Sequence, residues 1–66
     1  MSRVELGTKI EATIKSKHSG QKGTIVADYG NHYFVKVDDE KYDKAFKSAG
    51  REGKYIQIDE RCVKEI

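Results

Sequence analysis

The sequence predicts an all-β (mostly) domain, a small closed or nearly closed barrel of five short strands with one helical insert. Two observations favour this fold class. Apolar and polar residues alternate in several short stretches, and glycine-containing polar segments separate these stretches. The chain has 66 residues, which is too short for a second domain or for the large enzyme folds. Because closure protects the edge strands and surrounds one core, we predict a single barrel domain over residues 1–66.

Each predicted strand is a stretch in which apolar and polar side chains alternate. The clearest unit is a hairpin around Gly30 and Asn31, since both residues tolerate the positive φ of a tight turn. Residues 16–21 contain no large apolar side chain and are predicted to form a loop, and residues 59–61 a tight turn. The predicted strands cover residues 9–15, 23–29, 33–37, 55–58 and 62–66.

The segment from residue 38 to residue 50 has a different pattern. Its apolar and aromatic side chains recur at spacings of three, one and three, which is typical of one face of a helix. Asp38 or Asp39 is suited to capping the first turn, and Gly50 to ending the helix. We predict a short helix between Asp39 and Ala49, and a long irregular excursion is the alternative. The residues that follow the helical spacing are Tyr42, Ala45, Phe46 and Ala49.

The predicted core consists of the apolar side chains on one face of each strand. Val35 and Val37 share the parity of Tyr33, which predicts that Tyr33 lies inside and Phe34 nearer the surface. A domain of this length buries only about 60% of the surface of its unfolded chain, so modest stability is expected. The core is predicted to contain Leu6, Ile10, Ile14, Ile25, Val35, Val37, Val63 and either Ile56 or Ile58.

Composition and spacing argue against several classes of protein. The single cysteine, Cys62, cannot form an intramolecular disulfide, so a disulfide scaffold is excluded. No apolar stretch reaches the length of a signal peptide or a membrane span, and we expect a soluble cytoplasmic protein. His18, His32 and Cys62 are too scattered for a zinc signature, and residues 20–24 lack the spacing of a phosphate-binding loop. We therefore expect no metal, no cofactor and no catalysis.

One stretch, residues 12–26, resembles the KOW motif, which is a strand, a basic glycine-containing loop and a second strand. The matching residues are Ala12, Ile14, Gly20, Gly23, Ile25 and Val26. KOW domains occur in transcription elongation factors and ribosomal proteins. The resemblance therefore implies an SH3-like barrel that binds RNA, a ribosome or RNA polymerase.

Two basic segments are candidate contact surfaces. The first contains Lys15, Lys17 and Lys22 in a window without acids, and His18 adds charge at lower pH. Backbone amides near Gly20 and Gly23 have no bulky neighbours in sequence, so a phosphate could approach them. In the second segment, residues 41–54, the lysines are predicted to lie on the solvent-exposed side of the helix. In both segments the alternative is a solvated surface without a ligand.

An outward Phe34 is a candidate for stacking on a base, although it could equally lie beneath the helical insert. The complete set of predicted contact residues is Lys15, Lys17, His18, Gly20, Lys22, Phe34, Lys44, Lys47 and Arg51.

The function predicted from these features is that of a small, monomeric, non-catalytic binding module of the transcription or translation machinery. Its expected partners are RNA or DNA, RNA polymerase or the ribosome. The net charge of +2 is small for a nucleic-acid-binding domain. The alternative is therefore a docking regulator of phage or plasmid type that binds a host protein without contacting nucleic acid. A third class, a peptide-binding barrel, would need an aromatic cage drawn from Tyr29, Phe34 and Tyr42.

Overall fold

The computed structural model describes residues 4–66, and these form one antiparallel sheet of six strands. A 3₁₀ turn, Glu60–Cys62, joins the last two strands. The order across the sheet is β4-β5-β3-β2-β1-β6. The mostly-β prediction is confirmed. The strands are β1 (Lys9–Ala12), β2 (Lys22–Asp28), β3 (His32–Val37), β4 (Phe46–Lys47), β5 (Lys54–Asp59) and β6 (Val63–Glu65).

The sheet is strongly curled, but it does not close. Strands β5 and β6 lie four positions apart in the sheet, which corresponds to about 19 Å in a flat sheet. The 3₁₀ turn that connects them rises only about 2 Å per residue, so the sheet must bend to bring them within reach. Within residues 4–66, β4 and β6 remain its two edges. The prediction was a closed or nearly closed barrel of five strands; the described residues form an open, curled sheet of six strands.

The core lies on the concave side and is centred on Val35. This residue pairs with Ile25 on one side and Ile56 on the other, and all three are almost completely buried. The prediction that Tyr33 lies inside is confirmed. Since Ile56 and Ile58 share one face of β5, both are buried, where only one was predicted. The buried apolar cluster is Ile10, Ala12, Ile25, Tyr33, Val35, Val37, Ile56 and Ile58.

Three predicted core residues behave differently. Ile14 is 91% exposed because β1 ends at Ala12 and the chain then enters a series of turns. Leu6 is 62% exposed, in the turn that precedes β1. Val63 is half-buried and packs against the edge of the core. Alternation in the sequence continued past the point where strand pairing stops, and this accounts for the error at Ile14.

The predicted helix between Asp39 and Ala49 is wrong. The segment forms successive turns, in which Tyr42 donates its backbone N–H to the Asp39 carbonyl and Ala45 donates to that of Tyr42. The Asp39 side chain accepts from the backbone N–H of Lys41, as a capping residue would, but only isolated turns follow it. Each turn is closed by a backbone hydrogen bond between residues three apart. These turns bring Tyr42 and Ala45, which are also three residues apart, to the core, and this spacing resembles that of a helix. Phe46 then extends into β4.

No helix in residues 4–66 has the length and apolar character needed to cross a membrane.

Candidate nucleic-acid interface

Aromatic rings cover the convex side of the sheet where β3, β5 and β4 lie side by side. Phe34 faces away from the core and stacks on Tyr55, with ring centroids 4.9 Å apart and planes at 9°. The ring centroid of Phe34 lies 5.4 Å from that of Phe46 and 6.4 Å from that of Tyr29. His32 stacks on Tyr29 at 5.1 Å. We call these five residues the aromatic face.

Strand register explains why the rings meet. Tyr55 pairs with Phe46 on β4, so the two side chains share a face although they are far apart in sequence. On the other side, the register of β2 shifts between Ile25 and Ala27. This bulge keeps Ile25 in the core while it pairs small Ala27 with Phe34, which leaves room for the ring of Tyr29 to meet Phe34 edge to face.

The aromatic face is partly open to solvent. Tyr55 is buried beneath its neighbours, and its hydroxyl donates to the Glu52 carbonyl. Tyr29 and Phe46 are 59% and 46% exposed. The guanidinium of Arg51 lies 5.8 Å from the centroid of the Phe34 ring. The half-buried Phe34, stacked on the buried Tyr55, therefore contacts both exposed rings, and a cation lies beside it.

A groove of about 500 Å³ adjoins the aromatic face. It shares His32 and Phe46 with the aromatic face, so the two surfaces are continuous. Lys17 and Lys44, which come from different basic segments of the sequence, both line it. We call this feature the basic groove. Its lining consists of Lys17, His18, Asn31, His32, Lys44, Phe46, Ile56, Gln57 and Asp59.

His18 joins the two basic segments beneath the groove. Its Nδ1 atom lies 2.9 Å from the hydroxyl of Tyr42, and the two rings meet edge to face at 5.7 Å. The side chain is only 7% exposed. Burial lowers the pKa of His18 below its ordinary value, and the charges of Lys17 and Lys44 lower it further. His18 is therefore a positioning residue that holds the Lys17 loop against the Lys44 segment.

The predicted contact residues do not all converge. Lys17 and Lys44 meet at the basic groove, and Arg51 lies against Phe34. Lys15 is exposed in the loop. Lys22 is the first residue of β2 and lies opposite Glu11 in the register of β1 and β2. Lys47 lies on β4 beside Lys54. Gly20 lies in a separate depression with Ile14 and Lys64.

The two loop glycines differ in role. Gly20 has φ +86 and open space where a Cβ would lie, but its backbone N–H donates to the Ala12 carbonyl. Gly23 is buried, and a Cβ there would clash with the carbonyl oxygen of Lys36 and the side chain of Val35. The expectation that a phosphate approaches the backbone at Gly23 is therefore wrong, because this glycine allows β2 and β3 to pack closely.

Sequence reasoning missed several members of this surface. Phe46 and Tyr55 were not identified as site residues, because the first was assigned to a helix and the second to a strand outside the site. Side chains alternate between the two faces of a strand, so Ile56 and Ile58 share one face and Tyr55 lies on the other. This was a usable signal that Tyr55 faces outward. No signal in the sequence indicated that Gln57 and Asp59 would line a groove with Lys17.

Residues 4–66 contain no group of three or more His, Cys, Asp or Glu side chains arranged to hold a metal ion. Cys62 is half-buried and packs against the core. No protein-family model matches the chain, and no curated protein or solved structure is significantly similar to it. The function is therefore inferred from the surface itself.

Proposed function

We propose that this protein is a non-catalytic module that binds single-stranded nucleic acid and acts in transcription or translation. One observation carries the proposal: the exposed rings of Tyr29 and Phe46 continue into a groove that is lined by lysines from two separate segments. Rings provide surfaces for unpaired bases, and lysines beside them neutralise the phosphates that connect those bases.

The energetics favour unpaired bases over duplex. Stacking of a base on an aromatic side chain contributes about 1–3 kcal/mol, and it requires a base whose face is free. Phe34 and Tyr55 lie beneath the exposed rings and hold them in place, so little side-chain entropy is lost on binding. Lys17 and Lys44 in the groove and Arg51 beside Phe34 supply cations along this path. A net charge of +2 makes the expected affinity moderate and sensitive to salt.

We also propose that the chain is related to KOW domains and that its curled sheet is a variant of the SH3-like fold. Two features support it. The end of β1, a loop of turns and β2 follow one another through residues 12–26. The 3₁₀ turn also precedes a short last strand that pairs with β1. RNA polymerase and the ribosome are the assemblies in which such a module would meet RNA.

A second candidate function is docking on a host protein by strand addition. Pairing of β4 with β5 stops at Tyr55. In residues 4–66, no strand pairs with that side of β5 from Ile56 to Asp59, and this stretch borders the basic groove. An extended peptide could continue the sheet there. This candidate predicts partners that survive nuclease treatment.

Substitution of the exposed rings tests the leading proposal. Fluorescence anisotropy with labelled uridine and thymidine nonamers should show weaker binding for Phe46→Ala and for Tyr29→Ala, by about 5- to 150-fold each. Leu6→Ala is the matched control, because Leu6 is equally exposed but lies outside the aromatic face. The proposal is wrong if neither ring substitution changes affinity, or if the wild-type protein binds no single strand at 50 mM salt.

A further inference from the structure

Asp59 is the one acidic side chain that the described residues place in the lining of the basic groove. Its Oδ1 atom accepts from the backbone N–H of Arg61 at 2.8 Å, which caps the 3₁₀ turn and fixes the carboxylate. A carboxylate has about four acceptor sites, so this bond leaves most of its capacity available. An acid weakens phosphate binding nearby, so its presence in the same groove as Lys17 and Lys44 favours contact with a base rather than with the backbone.

The neighbours of Asp59 form a polar edge next to the aromatic face. In the register of β3 and β5, His32 lies opposite Asp59. Two residues further along each strand, on the same face, Phe34 lies opposite Gln57. The Nδ1 atom of His32 lies 2.6 Å from Oδ1 of Asn31. Since an amide oxygen can only accept, the Nδ1 atom of His32 donates in this contact. Asp59 therefore offers acceptor oxygens at this end of the groove, beside the ring of His32.

This arrangement discriminates between bases. Guanine has two adjacent donors, N1–H and the 2-amino group, on its Watson–Crick edge, and a carboxylate can accept from both at once. Adenine and cytosine offer an amino group beside a ring nitrogen lone pair, which repels the second carboxylate oxygen. Uracil offers one N–H between two carbonyl groups. The groove volume of about 500 Å³ falls within the usual range for small-ligand sites, about 300–1,000 Å³.

We infer that the basic groove is a base-selective pocket in which Asp59 recognises an unpaired guanine through its N1–H and 2-amino groups. The inference rests on the proposed function. Phe46 and His32 supply the flanking rings, and Lys17 and Lys44 contact the adjacent phosphates. Asp59 is thus a specificity-determining residue, whereas the rings and lysines bind any sequence.

The test uses uridine nonamers in which the central base is G, A, C or U, together with the corresponding DNA series, titrated into the wild-type protein and Asp59→Asn. Asparagine also caps the 3₁₀ turn, so the variant should keep its fold, which circular dichroism would verify. Glu60→Gln is the control, because it removes the same charge one residue away and outside the groove lining.

We expect the wild-type protein and Glu60→Gln to bind the G-containing strand at least fivefold more tightly than the all-U strand. In Asp59→Asn this preference should disappear while affinity for the other strands is kept or increased. Equal affinity of the wild-type protein for all four central bases would overturn the inference and leave the proposed function intact. A guanine preference that persists in Asp59→Asn would also overturn it. Absence of binding to every strand would refute the proposed function itself.

Discussion

Removing the two groove lysines should change the salt dependence of binding by a calculable amount. Lys17, Lys44 and Arg51 are the cations proposed to contact phosphates, and each phosphate contact to a single strand contributes about −0.7 to the slope of log K against log salt. The wild-type slope should therefore be about −2.1, which corresponds to roughly an 18-fold loss of affinity between 50 and 200 mM salt. In the double variant Lys17→Ala/Lys44→Ala, a slope of about −0.7 and a loss of roughly 2.6-fold remain.

The assay is fluorescence anisotropy of a labelled uridine nonamer at four salt concentrations between 50 and 200 mM. The matched control is Lys22→Ala/Lys47→Ala, which removes the same charge from two lysines outside the basic groove. Its slope should stay close to that of the wild-type protein. The reasoning fails if both double variants flatten the slope equally, because affinity would then follow net charge rather than the groove.

Three further predictions concern the fold. Ile56→Ala should lower the free energy of unfolding by about 2–5 kcal/mol, and exposed Ile14→Ala should change it by less than about 0.5 kcal/mol, both measured by urea unfolding. Because the pKa of His18 is lowered on folding, the unfolded state binds more protons, so stability should fall as the pH drops below about 6.5; His18→Gln should show a shallower loss between pH 7.5 and 5. Gly23→Ala should lower the melting temperature markedly, because its Cβ meets the backbone of Lys36; a wild-type melting temperature would contradict the packing described here.

Local patterns in the sequence were sufficient to predict most of the sheet. Alternation correctly identified Ile10, Ile25 and Val35 as core residues, and the Gly30-Asn31 turn does connect β2 with β3. Alternation alone could not reveal that β1 ends at Ala12, because this end depends on where the pairing with other strands stops.

The site was predicted only in part, because it is created by contacts between distant segments. Lys17, Lys44 and Phe34 were proposed from the sequence as contact residues, but their positions relative to one another could not be predicted from it. The contact between His18 and Tyr42 and the pairing of Phe46 with Tyr55 bring these segments together. A spacing of three was read as helical, although consecutive turns satisfy it equally well.

Amide chemical-shift mapping tests the central claim most directly. A uridine nonamer that contains one central guanine would be titrated into ¹⁵N-labelled protein at 50 mM salt. We predict that the largest shifts fall on Tyr29, Phe34, Phe46 and Arg51 and on the loop around Lys17, and that β1 and β6 change little. Shifts confined to β6 and the depression around Gly20, or no shifts at all, would contradict the claim that the aromatic face and the basic groove bind single-stranded nucleic acid.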